Sequence, residues 1–260
     1  MSDTAPAVQF TVLGPDGPPI DSADGRFADF YAYPDGLRSC WVRGNMIASV
    51  DGGATADGKT AELGGAGDLS VFKLMRYAAD VILVGAATVR TENYSGAQVP
   101  VAQRSARQAR GQAEVPPIGV ITRSADLDPD TLFFSRTEVA PLIFTCAAAV
   151  DDARVRLGSV AEVIDASGPK ADDVDPATVL RILAERGLFR VLSEGGPLIL
   201  GLLIAGGLLD ELCLTVAPYL VGGSAARIAT GPGQVLTRMR PAHVLSDDDG
   251  YLYTRYVRNS

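Results

Sequence analysis

The 260-residue sequence has one histidine, one tryptophan and three cysteines, and each scarcity closes a route to function. Cys40, Cys146 and Cys213 lie far apart with no CxxC pair. Neither a disulfide framework nor a zinc cluster is expected, no metal is assigned, and a reducing cytoplasm fits. His243, in the stretch PAHVL, has no GxSxG to accompany it. That argues against a Ser-His-Asp hydrolase and for a histidine in the core or on an edge strand. No GxGxxG follows the first strand and no GxxxxGK[ST] occurs, so the usual dinucleotide fingerprint and the P-loop are both missing. Positive charge is also short: 23 Lys and Arg face 31 Asp and Glu, a net charge of −8. A general attraction to nucleic acid or to an anionic membrane is therefore not expected, and an anionic ligand has to be held by a local site. The longest apolar run, Leu198 to Leu209, is broken by glycines and falls short of the roughly 20 residues a membrane span needs. The opening MSDTAPAVQF lacks the charged-then-apolar order of a signal peptide, so a soluble protein is expected.

What the chain does have is a hydrophobic content of 47%, enough for one substantial α/β core. Its organising stretch is DLSVFKLMRYAADVILVGAATVRTENY, Asp68 to Tyr94. Apolar residues at near-helical spacing there give way to Val81-Ile82-Leu83-Val84, too short for a helix and largely β-branched, which predicts a helix feeding a buried parallel strand. Gly85 then permits a tight turn, and Ala86, Ala87 and Thr88 open a helical turn whose unpaired N–H groups can face an anion. Gly85 as a plain strand-to-helix turn and Thr88 as a local cap explain the same residues.

Residues 1–37, rich in Pro, Gly, Asp and Ser, read as an irregular arm, docked by Phe27, Phe30, Tyr31 and Tyr33, with residues 38–260 as the main domain. Cys40 to Ser49 is the first expected strand. The glycine-rich loop Val50 to Gly67 is long enough to cover a ligand. The basic cluster Arg104, Arg107 and Arg110 reads as a solvated linker or short surface helix. Strands at 118–122, 141–145, 160–164 and 189–192 alternate with helices after residue 146 and at 176–186, the last with Asp175 as cap and a proline at its first position. That alternation predicts a mainly parallel sheet with helices on both faces. The strand ending at Leu192 runs into Ser193-Glu194-Gly195-Gly196-Pro197 and an apolar helix, repeating the strand, glycine, helix arrangement at Gly85. Two such turns at the carboxyl ends of parallel strands are a way to hold the phosphates of a dinucleotide. A strand at 208–220 and an antiparallel pair at 235–246 and 251–258, around the turn Asp247 to Gly250, are expected to form one edge of the sheet.

Three motifs in order, NMIASVDG (45–52), FKLMRYAADVILVGAATVRTENY (72–94) and LSEGGPLILGLLIAGGLLDELCLTVAPYLVGG (192–223), resemble the reductase domain of the bacterial riboflavin-biosynthesis deaminase/reductase and its free-standing pyrimidine reductase relatives. Dihydrofolate reductase is a more distant likeness. The resemblance covers residues 39–258 and implies a dihydrofolate-reductase-like fold with a mainly parallel sheet and an antiparallel C-terminal edge, NADPH as hydride donor, and a homodimer joined through the C-terminal part. It implies cofactor contacts from Asn45 and Ala48, from Gly85 and Thr88, and from Glu194, Gly195, Gly196, Pro197, Leu198 and Ile199. The cofactor 2′-phosphate is implied at Thr122, Arg123 and Ser124. On the substrate side it implies Asp68, binding the amino-pyrimidine edge and assisting protonation, together with Arg76 and with Glu92. Glu92 lies in TVRTENY, where the family usually has Thr-Val-x-x-Asp-Asn-Pro and a closely following arginine. Here no arginine follows until Arg104. Asp68 as a helix cap is the competing account of that residue. The deaminase motifs HxE and PCxxC are absent. The implied substrate is 5-amino-6-(5-phosphoribosylamino)uracil, dihydrofolate or a similar ring. Two classes of function fit: an NADPH-dependent reductase of a pyrimidine or pterin, and a non-enzymatic sensor that keeps the dinucleotide cleft.

Overall fold

The computed structural model describes residues 7–14, 18–92, 94–231 and 233–259. Two short strands, β1 (Gln9–Val12) and β2 (Pro19–Asp21), precede a 3-10 helix at Gly25–Tyr31 and the long strand β3 (Trp41–Ser49). Next come α1 (Ala66–Ala78), β4 (Val81–Gly85), α2 (Ala86–Thr91), α3 (Val101–Ala109), β5 (Ile118–Ile121) and α4 (Leu132–Ser135). The chain continues through β6 (Leu142–Thr145), α5 (Val150–Leu157), β7 (Glu162–Asp165), α6 (Pro176–Glu185), β8 (Arg190–Ser193) and α7 (Pro197–Ala205). It ends with β9 (Glu211–Ala217), β10 (Met239–Asp247) and β11 (Leu252–Arg258).

All of these strands lie in one sheet, in the order β2-β1-β10-β11-β9-β3-β8-β4-β5-β6-β7. From β9 to β7 every pairing is parallel, and from β9 through β11, β10 and β1 to β2 every pairing is antiparallel. Strands β4, β5 and β6 are buried along their whole length, as apolar strands covered on both faces must be. Val71 and Met75 of α1 and Ala153 and Leu157 of α5 belong to one core, while Val179 and Leu183 of α6 and Leu200 and Leu203 of α7 belong to the other. Asp175 caps α6 as expected, its carboxylate accepting from the N–H groups of Ala177 and Thr178, with Pro176 in the first turn.

One expectation is corrected, and a second holds only in part. The N-terminal segment is not irregular throughout: β1 pairs with β10 and β2 with β1, so it extends the antiparallel C-terminal edge of the sheet. The aromatics do dock it, with Phe27 and Tyr31 buried and Phe10 stacked on Phe27. A buried ion cluster completes the attachment. Arg43 and Arg255 both pair with Glu211, and they donate to the carbonyls of Phe30, Tyr31 and Ala32. Burial pushes the Glu211 carboxyl up, but the two guanidiniums outweigh it and hold it below its usual range. His243, on β10, stands edge-on to Phe30 and Tyr31.

The basic cluster does lie on a short, mostly exposed helix, α3, but one of its members is not on the surface. Arg107 is fully buried and donates to the carbonyls of Tyr77 and Ala79 at 2.9 and 2.6 Å. A guanidinium in that place satisfies carbonyls left open at the C-terminal end of α1, so Arg107, with Arg110 also on the Tyr77 carbonyl, anchors the helix that carries Asp68.

Candidate active site

Strands β4 and β8 are parallel neighbours, so their two glycine turns meet. The Gly85 N–H donates to the Gly195 carbonyl at 2.8 Å, and the Glu194 N–H donates to the Leu83 carbonyl at 2.9 Å. Gly195 has φ +84°, a conformation side chains resist. A Cβ on Gly196 would lie 2.9 Å from the Thr88 hydroxyl, which joins the second turn to the first. Gly85 has an ordinary φ of −79°, and a Cβ there would meet Ile199 Cγ1 at 3.2 Å. No side chain caps α7, leaving the N–H groups of its first turn, at Leu198 and Ile199, open at this surface.

A cavity of about 850 Å³ opens in front of these turns. Its far wall is α1, through Asp68, Leu69, Phe72 and Arg76, and its cover is the 54–65 loop. That loop is held to α2 because the Thr60 N–H donates to Glu92 Oε1 at 3.1 Å. Its start is held to the β9–β10 connection, where the Ala54 N–H donates to the Ala226 carbonyl at 2.7 Å and, just upstream, Asp51 accepts from the N–H groups of Val221 and Gly222. Helix α1 starts at Ala66 with Gly65 as its cap. Asp68 is thus inside the first turn, and the capping account of it does not hold. Its carboxyl faces the cavity. Burial pushes it above the usual carboxylate range, partly offset by the hydroxyl of the buried Thr215 of β9. Arg76 grips Glu194 in a two-pronged pair, Nε to Oε1 and Nη2 to Oε2, both at 2.6 Å, and also donates to the Tyr94 hydroxyl at 2.9 Å. The substrate-side helix and the second glycine turn are thereby linked by a pair whose side chains are only 15% and 4% exposed.

Among the residues singled out from the sequence, Asn45, Asp68, Arg76, Gly85, Thr88, Glu92, Glu194, Gly196, Pro197, Leu198 and Ile199 line this one cavity. Ala48 is buried within β3, and Gly195 is buried in its turn; neither is on the lining. Thr122, Arg123 and Ser124 are off the lining too. They continue from Ile121, which is on it, with Arg123 and Ser124 exposed. Asn93 lies outside the described residues. Thr215 and Thr60 were not singled out beforehand; they come from strands and loops distant in sequence, and no local pattern marks them. Among the described residues no group of three His, Cys, Asp or Glu side chains could hold a metal ion, and no helix is long and apolar enough to cross a membrane.

Facing glycine turns at the carboxyl ends of neighbouring parallel strands, with a side-chain-lined cavity in front, make this an α/β protein with its cleft where open sheets of that kind bind ligands. Residues 40–253 match the RibD C-terminal domain family, and the chain belongs to that family. It is 25% identical over 211 residues to a 2,5-diamino-6-ribosylamino-4(3H)-pyrimidinone 5′-phosphate reductase of Archaeoglobus fulgidus, covering 81% of this chain and 94% of the relative. A reductase of the same name from Methanothermobacter thermautotrophicus is 29% identical over 188 residues, covering 70% and 80%. A pyrimidine reductase-like protein from Corynebacterium diphtheriae has a similar structure, with a TM-score of 0.76, 26% identity and coverage of 85% and 92%.

Proposed function

We propose that this chain is an NADPH-dependent reductase of a phosphoribosylamino-pyrimidine. The observation that carries the proposal is a partly buried carboxyl, Asp68, facing two joined glycine turns across one cavity. The residues fit a dinucleotide, since the space a Cβ on Gly196 would fill is kept free beside Thr88 and the first-turn N–H groups of α7 are open to a phosphate. Gly85, Thr88 and Gly196 to Ile199 would hold it, with Glu194, steadied by Arg76, beside the ribose. NADPH supplies a hydride when bound. Arg123 and Ser124, exposed just past Ile121, are the groups that favour a 2′-phosphate and hence NADPH over NADH.

Asp68 supplies the proton chemistry. A carboxylate accepts hydrogen bonds from a ring N–H and an exocyclic amine together, and reduction of a C=N bond needs a proton at nitrogen. Burial raises the Asp68 pKa, so the carboxyl keeps its proton to higher pH, where an acid is needed. The pyrimidine substrate rests on the names of the two reductases to which the chain is similar. The same reading makes the protein a cytoplasmic homodimer, supported by the exposed apolar side chains of Leu220 and Leu236 between β9 and β10.

The test is oxidation of NADPH by the purified protein, followed at the nicotinamide absorbance band, with 5-amino-6-(5-phosphoribosylamino)uracil and with dihydrofolate. Turnover of the pyrimidine is expected. Tight NADPH binding without oxidation by any such ring would leave a binding module in place of an enzyme.

A further inference from the structure

The first turn of α1, which carries Asp68, is pressed onto the β10–β11 hairpin closely enough to exclude side chains. A Cβ on Gly65 would lie 2.9 Å from the Tyr251 ring, and one on Gly67 would lie 2.7 Å from Asp247 Oδ2 and collide with the Tyr253 hydroxyl. Glycine inside a helix is disfavoured relative to alanine. Gly67 thus sits in α1 against its helical preference, and the contact with Tyr253 is what requires it.

The hydroxyl has no room to withdraw. Tyr253 is 1% exposed, with Phe10 of β1 edge-on to its ring at 5.1 Å and Tyr251 nearly parallel to it, ring centroids 6.3 Å apart. It donates to Asp247 Oδ2 at 2.6 Å, and the other oxygen of Asp247 accepts from the Tyr251 N–H at 3.0 Å. The Tyr251 hydroxyl donates to the Leu63 carbonyl at 3.1 Å, just ahead of the helix. On its other side Tyr253 stands directly across from Thr215 of β9, the residue whose hydroxyl bears on Asp68. Neighbouring strands therefore meet successive residues of one turn, Tyr253 at Gly67 and Thr215 at Asp68. Tyr251, Tyr253 and Asp247 are all off the cavity lining.

We infer that Tyr253, braced by Asp247, is a positioning residue for Asp68: its hydroxyl is the stop against which the first turn of α1 is seated, and it fixes how far the Asp68 carboxyl reaches into the cavity. The inference rests on the reading of Asp68 as the proton donor and adds what holds that donor in place. The same contact keeps the carboxyl buried, which is what raises its pKa. Tyr31, Tyr251 and Tyr253 all feel the Asp68 charge, and all three stay neutral where a carboxyl titrates.

The test follows single-turnover NADPH oxidation against pH, at saturating 5-amino-6-(5-phosphoribosylamino)uracil, with NADPH affinity and thermal unfolding measured on the same proteins. Gly67→Ala pushes the turn off the hairpin, so the rate should fall about 10²-fold, as for a misplacement of about 1 Å, with NADPH affinity unchanged. The limb of the pH profile set by Asp68 should move to lower pH as the carboxyl gains water. Tyr253→Phe removes the stop and, displacing the turn less, should slow the step about tenfold. In the double variant the methyl takes the place of the hydroxyl, so the rate should rise about tenfold above that of Gly67→Ala, a coupling expected of residues in contact. A native rate and pH limb in Gly67→Ala, or a native rate in Tyr253→Phe, overturns the inference whatever the change in thermal stability. So does a double variant no faster than Gly67→Ala. If no ring substrate supports NADPH oxidation by the native protein, the reductase reading is what fails. The positioning is then decided by carbon-13 NMR of the Asp68 carboxyl, assigned by its loss in Asp68→Asn: a titration moved to lower pH in Gly67→Ala and back in the double variant supports it, and an unmoved titration overturns it.

Discussion

On the α1 side, the main cavity presents side chains: the Asp68 carboxyl, the Arg76 guanidinium and, from α2, the Glu92 carboxylate that holds the covering loop. On the side of β4 and β8 it presents two glycine turns and a helix start with no side-chain cap, so the groups on offer are backbone N–H and empty space. A side-chain wall can lose its chemistry without losing its shape. A backbone wall loses its shape when a single Cβ is added. Changes on the first should therefore appear in rates, and changes on the second in cofactor affinity.

The strongest test of that division is Asp68→Asn. Single-turnover NADPH oxidation should slow by about 10²–10⁴-fold, as for loss of a positioned acid–base group, with cofactor affinity little changed. Because burial raises the Asp68 pKa, the native rate should fall as pH rises through that raised value, and the variant should lose this limb of the profile. Full activity in Asp68→Asn at unchanged thermal stability would remove the residue from the chemistry.

Gly196→Val should do the reverse. Its side chain would meet the Thr88 hydroxyl, 2.9 Å from the Cβ position, and fill the cradle, so fluorescence titration should show NADPH affinity falling by about 100-fold or more, with the far-ultraviolet circular dichroism of the native protein retained. Normal binding would mean that the second turn is not the cradle.

Arg123→Ala should weaken NADPH binding by about 1.5–3 kcal/mol, the range for a hydrogen bond to a charged group, and leave NADH binding unaltered. Equal losses would take the 2′-phosphate away from Arg123. The smallest effect should come from Gly85→Ala. The backbone there is allowed to any residue, and Ile199 Cγ1, 3.2 Å away, has only to shift slightly, so a cost of about 1 kcal/mol in thermal unfolding is expected. A large loss of NADPH affinity in this variant would show that the two glycine turns contribute alike.

Much of this was legible along the chain. The apolar run at 81–84, the Asp175-Pro176 start of α6 and the two strand-glycine-helix repeats are local signals, and each appears where the pattern put it. The repeats looked equivalent in sequence, but Gly195 has φ +84° and Gly85 does not. The first glycine thus serves packing, and the second serves conformation.

The strands of the N-terminal segment leave no local mark because polar, proline-rich composition says nothing of a partner strand more than 230 residues away. β1 is made a strand by β10 and by the Arg43–Glu211–Arg255 cluster that anchors the residues following it. The burial of Arg107 is illegible for a related reason: the carbonyls it satisfies belong to another helix. The sequence by itself determined the α/β alternation, the buried strands and the places of the glycine turns, because hydrophobic periodicity and glycine's missing Cβ act within a few residues. Only the tertiary structure decided that Arg76 is committed to Glu194 and that Arg107 is buried against the end of α1. Ion pairs and hydrogen bonds depend on distances across the fold, which sequence spacing does not set.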